Sequence, residues 1–397
     1  MSTDLPAALR GLLASSHLAL PDDLPALIVE HAAAFGATDA ALYLVDCDQL
    51  ALVPVPNPKG ALRQEVGIDA TIAGRAFRDI RIQRVRGEGG EWRQWVPILD
   101  GTERLGVLEL AFSGPAEVLD DDLKAFAAVV AELVTSKNNY GDLFHLVRRR
   151  RPMSVAAELA WQLLPPLTFG TERVVIAAGL VPTYDIGGDS FDYAADARTV
   201  RVALFDAMGH GLEAGLIATV AVASYRNSRR RGLGLIETMQ AVDEVLASQF
   251  GTERFVTAVL AELDLATGQL RWSLAGHPPP LLFRGGRLVK ALNGDVGLPL
   301  GLGLHRPQLE EVLEPGDQLV FHTDGVVEAR SPDGEFFGLA RLVDLVGRAL
   351  SSGSPAPEVL RRLVQAVVSH QAGDFQDDAT LVLLEWQGDL SKGLQVS

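Results

Sequence analysis

Four acidic sites in the second half of the chain sit beside glycines or at the ends of apolar runs. Asp189 closes Gly187-Gly188-Asp189, and Asp206 follows the run Val202-Ala203-Leu204-Phe205. Asp324 follows Leu319-Val320-Phe321-His322-Thr323 and is itself followed by Gly325. Asp377-Asp378 precedes Ala379-Thr380-Leu381-Val382-Leu383-Leu384. A carboxylate at the end of a buried strand is costly unless a positive group meets it, and several that converge cannot all stay ionised without a cation. Hard divalent ions such as Mg²⁺ or Mn²⁺ take oxygen ligands and keep several waters. Two such ions about 4 Å apart bridge a water, lower its pKa and clamp a phosphoryl oxygen. Glycines let the backbone pass close to the ions. Singly these signals are weak, because an Asp-Gly is usually a turn and an acid such as Asp192 or Asp378 is commonly a surface group or a helix cap. Their joint order is what carries information.

The elements that must position these acids are legible around them. Residues 174–181, 200–205, 255–263, 269–274, 318–322 and 379–384 read as strands, and 212–230, 234–250, 339–350 and 357–370 as helices. Ala266-Thr267-Gly268 between two of the strands signals a hairpin. No Gly-rich loop opens a helix within a βαβ unit, which argues against a dinucleotide-binding fold.

The first half has another texture. Residues 24–35 have helical spacing, and strands are expected at 40–45, 50–55, 95–99 and 105–112, with Asp100-Gly101 as a hairpin turn. An antiparallel sheet flanked by helices, a small α+β domain, is the natural reading. After Asp120-Asp121-Asp122, which suits a helix N-terminus, Leu123, Phe126, Val130, Leu133, Lys137, Tyr140, Phe144 and Val147 follow steps of three and four. That pattern is an a/d seam, either a dimeric coiled coil or an amphipathic helix packed on its own domain, and Gly141 weakens the helix. The four arginines 148–151 and Pro152 end the frame. A short helix at 155–164 stops at Pro165-Pro166, so the junction is either a hinge or a plain linker.

Composition narrows the partners. The 397 residues carry a formal net charge of −16, with 48% apolar and 22% charged residues, enough for two cored domains. Such an acidic chain lacks the basic footprint of a nucleic-acid binder and is unsuited to an anionic membrane leaflet. Cys47 is the only cysteine, so neither an intrachain disulfide nor a thiolate metal cluster is available. With no signal-peptide pattern and no apolar run of membrane-spanning length, the chain reads as cytoplasmic.

From about 151 to 386 the sequence resembles the PPM metal-dependent protein phosphatases, in particular the bacterial SpoIIE-type subgroup. The resemblance rests on Gly187-Gly188-Asp189, the 206–211 segment Asp-Ala-Met-Gly-His-Gly, Ala275-Gly276-His277-Pro278, Leu300-Gly301, the run from Thr323 to Ala329, Phe337-Gly338 and Asp377-Asp378-Ala379-Thr380. It implies an α-β-β-α sandwich with a dinuclear Mn²⁺/Mg²⁺ site at one end. Carried over by motif, Asp206 would bridge two ions, Asp189 and the Ala207 carbonyl would hold one, and Asp324 and Asp377 the other. A metal-bridged water would attack phosphoserine or phosphothreonine in line. Position 207 is Ala where the family often has Gly, a change costing roughly 1 kcal/mol if the backbone there needs positive φ.

Other residues stand further out. His210 would either protonate the leaving alkoxide or, the preferred reading, shape its loop through a hydrogen bond. Gly188, Gly325, Asp378 and Glu328 would stand behind the ligands. His277 reads as part of a structural turn and His322 as a strand residue. Arginines 148–151 and 229–231 read as solvated faces.

The first part resembles, without a sharp motif, a GAF-type sensory domain. The expected organisation is a GAF-like domain at 1–118, a helical linker at 119–168, the phosphatase domain at 169–388 and a tail at 389–397. The resemblance implies a phosphatase acting on a regulatory protein, commonly an anti-sigma-factor antagonist of STAS type, gated by the sensory domain and dimeric through the linker. The alternatives are a pseudophosphatase that docks partners and a hydrolase of small phosphate esters.

Overall fold

The computed structural model describes residues 4–388 apart from 88–89, 116–117, 186, 296, 304–306 and 374, so the expected tail at 389–397 lies outside the described residues. The chain divides into two compact units, Met1–Pro152 and Met153–Ser397. No described helix is long and apolar enough to cross a membrane.

The N-terminal unit contains α1 (Leu5–Ser16), α2 (Leu24–Ala32), β1 (Asp39–Val45), β2 (Ala51–Pro54), β3 (Val66–Gly67), α3 (Ile72–Asp79), β4 (Gln83–Arg86), β5 (Trp92–Asp100), β6 (Glu103–Phe112), α4 (Asp120–Lys137) and α5 (Leu143–Arg148). Its sheet is antiparallel in the order β3-β2-β1-β6-β5-β4. The β5–β6 hairpin turns at Asp100, as the Asp-Gly pair predicts. One face of the sheet packs on α1, α2 and α4 through Leu12, Ile28, Leu42, Leu108 and Phe126. The opposite face packs on α3 through Tyr43, Ala76, Phe77 and Trp95.

The a/d seam belongs to this core. Leu123, Phe126 and Val130 are fully buried in it, and Phe144 joins from α5. Helix α4 stops at Lys137, ahead of the Asn-Asn-Tyr-Gly run at 138–141, and Tyr140 is left 77% exposed. Lys137, the polar position in the seam, is buried and donates from Nζ to the Ala19 carbonyl at 2.6 Å. The amphipathic face is therefore consumed inside one unit, and among the described residues no exposed coiled-coil seam remains for a second copy. The expected 119–168 linker correspondingly divides, with α4 and α5 in the first unit and 153–168 in the second. The arginine run is solvated only in part: Arg150 and Arg151 are exposed, but Arg148 Nε donates to Val45 O at 3.0 Å, and Arg150 pairs with Asp46 and Glu65.

The C-terminal unit runs α6 (Val155–Leu163), β7 (Thr168–Gly170), β8 (Val174–Val181), β9 (Asp189–Ala195), β10 (Thr199–Ala207), α7 (Gly211–Arg230), α8 (Leu235–Phe250), β11 (Val256–Asp264), β12 (Gln269–Ala275), β13 (Leu281–Arg284), β14 (Arg287–Ala291), β15 (Leu309–Val312), β16 (Asp317–His322), α9 (Asp324–Val327), α10 (Leu339–Ser351), α11 (Ala356–Gln371) and β17 (Ala379–Trp386). One antiparallel sheet has the order β15-β12-β11-β10-β9 and the other β14-β13-β16-β17-β8-β7. Side chains alternate faces along a strand, so Val202 and Leu204 of β10, Val259 and Ala261 of β11, Phe321 of β16 and Val382 and Leu384 of β17 meet in one core between the sheets. The other parity faces outward. Ala203 and Phe205 pack on α7 and α8, and Leu381 and Leu383 on α10 and α11.

Because Phe126 is core and Tyr140 is not, the two substitute differently. Phe126→Ala should cost about 3–5 kcal/mol in urea denaturation of the full chain, while Tyr140→Ala should stay within about 0.5 kcal/mol of wild type. Equal effects would contradict the packing.

Candidate active site

Extending the inner-face parity one step beyond the apolar run changes the chemistry. After Val202 and Leu204 comes Asp206; before Phe191 comes Asp189; before Val259 comes Thr257; after Phe321 comes Thr323; before Val382 come Thr380 and Asp378. One end of the inter-sheet layer is thus built of acids and threonines. In the register, Asp206 stands directly opposite Asp189 on β9 and Thr257 on β11. Side chains so placed are about 5 Å apart at Cβ, and like charges there repel.

Each acid is held. Asp189, 2% exposed, accepts from Thr323 Oγ1 at 2.8 Å, and that hydroxyl accepts from the Thr380 N–H at 2.9 Å. Asp206 accepts from Thr257 Oγ1 at 3.2 Å, and Thr257 Oγ1 lies 3.0 Å from His277 Nδ1. Asp378 does something different. Its Oδ2 accepts the backbone N–H groups of Gly187, Gly188 and Asp189 at 2.8, 2.6 and 3.2 Å, clamping the loop that presents Asp189. The glycines serve close approach here. A Cβ on Gly188 would stand 2.5 Å from the Ala207 carbonyl oxygen, and one on Gly325 1.8 Å from that of Asp378. Ala207 itself is buried and is not among the residues with positive φ, so alanine there carries no backbone strain.

Asp324 opens α9 at the surface, and Asp377 is partly exposed. Burial, then the carboxylates of Asp324 and Asp377, push Asp206 up to about 7, against the Thr257 hydrogen bond. Burial, then Asp206 and Asp378, push Asp189 well above the usual carboxylate range. Asp377 is raised by burial and by Asp324, with its own backbone contact to Asp378 and the nearby His210 opposing. Asp378 is raised by burial against its three N–H donors. The four expected ligand acids therefore share one electrostatic neighbourhood, with Asp378 behind them. Among the described residues, however, no three His, Cys, Asp or Glu side chains converge as a finished cage. An all-oxygen set of this looseness fits an ion that retains several waters, which is the habit of Mg²⁺ and Mn²⁺.

The remaining expectations separate. His210 is exposed at the N-cap of α7, with no side-chain capping bond, close enough to Asp377 to act on it; among the described residues the loop-shaping hydrogen bond is not seen. Glu328 is exposed and closes α9 through its backbone N–H to Asp324 O at 2.8 Å; no contact of its side chain with the acids is found among the described residues. His322 ends β16, with Nδ1 3.0 Å from Thr323 O. Asp192 is neither a surface acid nor a cap: it is buried and pairs with Arg226 and Arg229 at 2.7 and 2.9 Å, which also removes Arg229 from the expected solvated face. The motifs do not include Thr257, and they give no role to Thr323 or to Asp378 as a loop clamp. Carrying the period-two pattern past each apolar run is the signal that finds both threonines.

Two packed antiparallel sheets with helices outside and acids at one end define the class: the C-terminal unit has the PP2C phosphatase fold. The SiaA-PP2C domain of Pseudomonas aeruginosa superposes with a TM-score of 0.50 at 22% identity, covering 59% of this chain and 94% of that domain. Residues 196–387 match the family model for the Stage II sporulation protein E (SpoIIE), and this unit is a SpoIIE-type PPM protein serine/threonine phosphatase domain. Among curated relatives, the phosphoserine phosphatase RsbU of Bacillus subtilis (strain 168) is 24% identical over 234 residues, 58% of this chain and 69% of that protein. The phosphoserine phosphatase RsbP of the same organism is 27% identical over 152 residues, 36% of this chain and 37% of that protein.

The shifted acids set the pH response of the metal-free protein. Asp206 ionises at 3.8 ordinarily and near 7 when folded. Between those values the folded state binds more protons than the unfolded one, so stability falls as pH rises. The melting temperature of metal-free protein should drop from about pH 4 to about pH 7, and Asp206→Asn should flatten that drop. A rise over the same window in thermal denaturation would contradict the assignment.

Proposed function

We propose that the chain removes phosphate from phosphoserine or phosphothreonine on a regulatory protein, under control of its N-terminal unit. The observation that carries this reading is the directly opposed pair of buried Asp189 and half-buried Asp206, with Asp324 and Asp377 in the same electrostatic neighbourhood. Two acids so placed are a poor way to stabilise a fold and a good way to hold cations.

Asp206, Asp189, Asp324, Asp377 and the Ala207 carbonyl would hold two divalent ions, Mn²⁺ or Mg²⁺. When bound, these supply positive charge and an activated water for attack on the phosphoryl group. The chain's own residues do the rest. Thr323 and Thr257 orient the carboxylates of Asp189 and Asp206, and Asp378 fixes the Gly187-Gly188 loop. His210, exposed beside Asp377, would deliver a proton to the departing serine or threonine oxygen.

The relatives named phosphoserine phosphatases support a phosphoserine protein as substrate, and a STAS-type anti-sigma-factor antagonist is the regulatory protein we infer. A GAF-like role for the N-terminal unit is part of the same proposal. Its signal would enter through 151–153, the short joint between the anchored arginines and the Ser154 cap of α6. Dimerisation through α4 finds no support, because its seam lies in the unit's own core.

The test is hydrolysis of p-nitrophenyl phosphate and of a phosphoserine peptide by the full chain. Activity should require Mn²⁺ or Mg²⁺ and fall at least about 100-fold in Asp206→Asn. His210→Ala should lower turnover of the peptide more than that of p-nitrophenyl phosphate, whose leaving group needs no proton. Metal-independent hydrolysis, or an unaffected Asp206→Asn, would contradict the proposal.

A further inference from the structure

Beside the acids lies a surface that the phosphoryl chemistry does not use. The loop after Asp206 turns at Gly209 (φ 96°) and Gly211 (φ 71°), a conformation suited to glycine, and between them His210 stands beside Asp377. Met208 precedes that histidine by two residues and Leu212 follows it by two; they are 44% and 47% exposed. Leu216, about one turn further along α7, is also 47% exposed. Residues four apart share a helix face, so Leu212 and Leu216 point the same way, while Ala214, Ile217 and Ala218 fill the core behind them.

A single exposed leucine needs no explanation, but large apolar side chains grouped at one end of a helix mark an interaction surface. The setting is firm. The Met208 N–H donates to Phe255 O at 3.1 Å, and Glu213, next to Leu212, is paired with Arg254 at 2.7 Å. Helix α9, by contrast, presents the acids Asp324 and Glu328 to solvent, so the surroundings of the site are apolar at the start of α7 and negative at α9.

What covers the apolar part follows from what must reach the acids. A phosphoserine has a short side chain, and neighbouring Cα atoms are about 3.8 Å apart. When its phosphate meets Asp206 and Asp377, the residues flanking it in the substrate protein lie against the segment that carries Met208, His210 and Leu212. We infer that Met208, Leu212 and Leu216 form the docking surface for apolar residues flanking the phosphoserine. The inference rests on the phosphatase reading and adds to it the chemistry of the substrate's flanks. Acidic flanks would meet Asp324 and Glu328 and be repelled.

The test gives the full chain Mn²⁺ and three phosphoserine peptides, alike except that leucine, lysine or aspartate flanks the phosphoserine. The leucine peptide should show about tenfold higher kcat/KM than either charged one. Leu212→Glu with Leu216→Glu should move the preference to the lysine peptide, and Leu212→Lys with Leu216→Lys to the aspartate peptide; a preference gained also shows that the variant is folded. Val312→Glu is the control, an exposed position on β15 paired with the start of β12, whereas the end of β12 runs toward the acids. It should keep the wild-type preference. Equal rates for the three peptides in wild type, or charged variants that still favour leucine, would overturn the docking surface and leave the phosphatase reading standing. Failure to hydrolyse both the peptides and p-nitrophenyl phosphate would remove the two together. Sedimentation supplies the remaining readout: a wild-type dimer that the charged variants dissociate, with the peptide preference unmoved, would assign the surface to a second copy and overturn the inference.

Discussion

The C-terminal unit is organised around an electrostatic conflict. Asp189 and Asp206 face each other across adjacent antiparallel strands, both largely out of water. A sheet gains nothing from such a pair, since like charges in register destabilise it. Protonation relieves the conflict, and both groups are pushed upward in the metal-free protein, first by burial and then by neighbouring carboxylates. A divalent cation relieves it too, and turns the cost of burial into binding energy. The threonine hydroxyls, the Asp378 clamp and the glycines that let backbone approach backbone all serve to keep the two acids where they repel.

The fold supplies this arrangement through strand periodicity. The same alternation that sends Val202 and Leu204 into the inter-sheet core sends Asp206 to its edge. Strands of the second sheet reach the same end with Thr323, Thr380 and Asp378, so groups distant in sequence meet without any long loop. Outside this layer, α7 and α8 cover one sheet and α10 and α11 the other. Helix α7 also begins at the Gly-His-Gly segment directly after Asp206, which puts His210 at the rim. Rigid packing behind a polar end is what lets a few short hydrogen bonds fix carboxylate orientation.

Much of this arrangement is legible in the amino-acid sequence. The apolar runs mark β8, β10, β11, β12, β16 and β17, and the acids at their ends mark the site. Strand β9 escapes such a reading, because its sequence Asp-Ser-Phe-Asp-Tyr-Ala-Ala carries an acid on each face, Asp189 toward the other sheet and Asp192 toward α7, where Arg226 and Arg229 pair with it. Asp378 reads as a group behind the ligands, but three backbone donors converging on one oxygen depend on a loop 190 residues away in sequence. The a/d seam is a correct pattern whose partner the sequence leaves open. Steps of three and four specify an amphipathic face, and only tertiary structure says whether a sheet or a second helix covers it. Lys137 reads as a polar break in a seam because its acceptor, the Ala19 carbonyl, lies 118 residues away.

The most direct test of the account is a crystal grown with Mn²⁺ and measured at the manganese absorption edge. Anomalous peaks within coordination distance of Asp206, shared with Asp189 on one side and with Asp324 and Asp377 on the other, are the predicted result. Well-ordered density for all four carboxylates with no anomalous peak among them, or with manganese bound elsewhere, would contradict it.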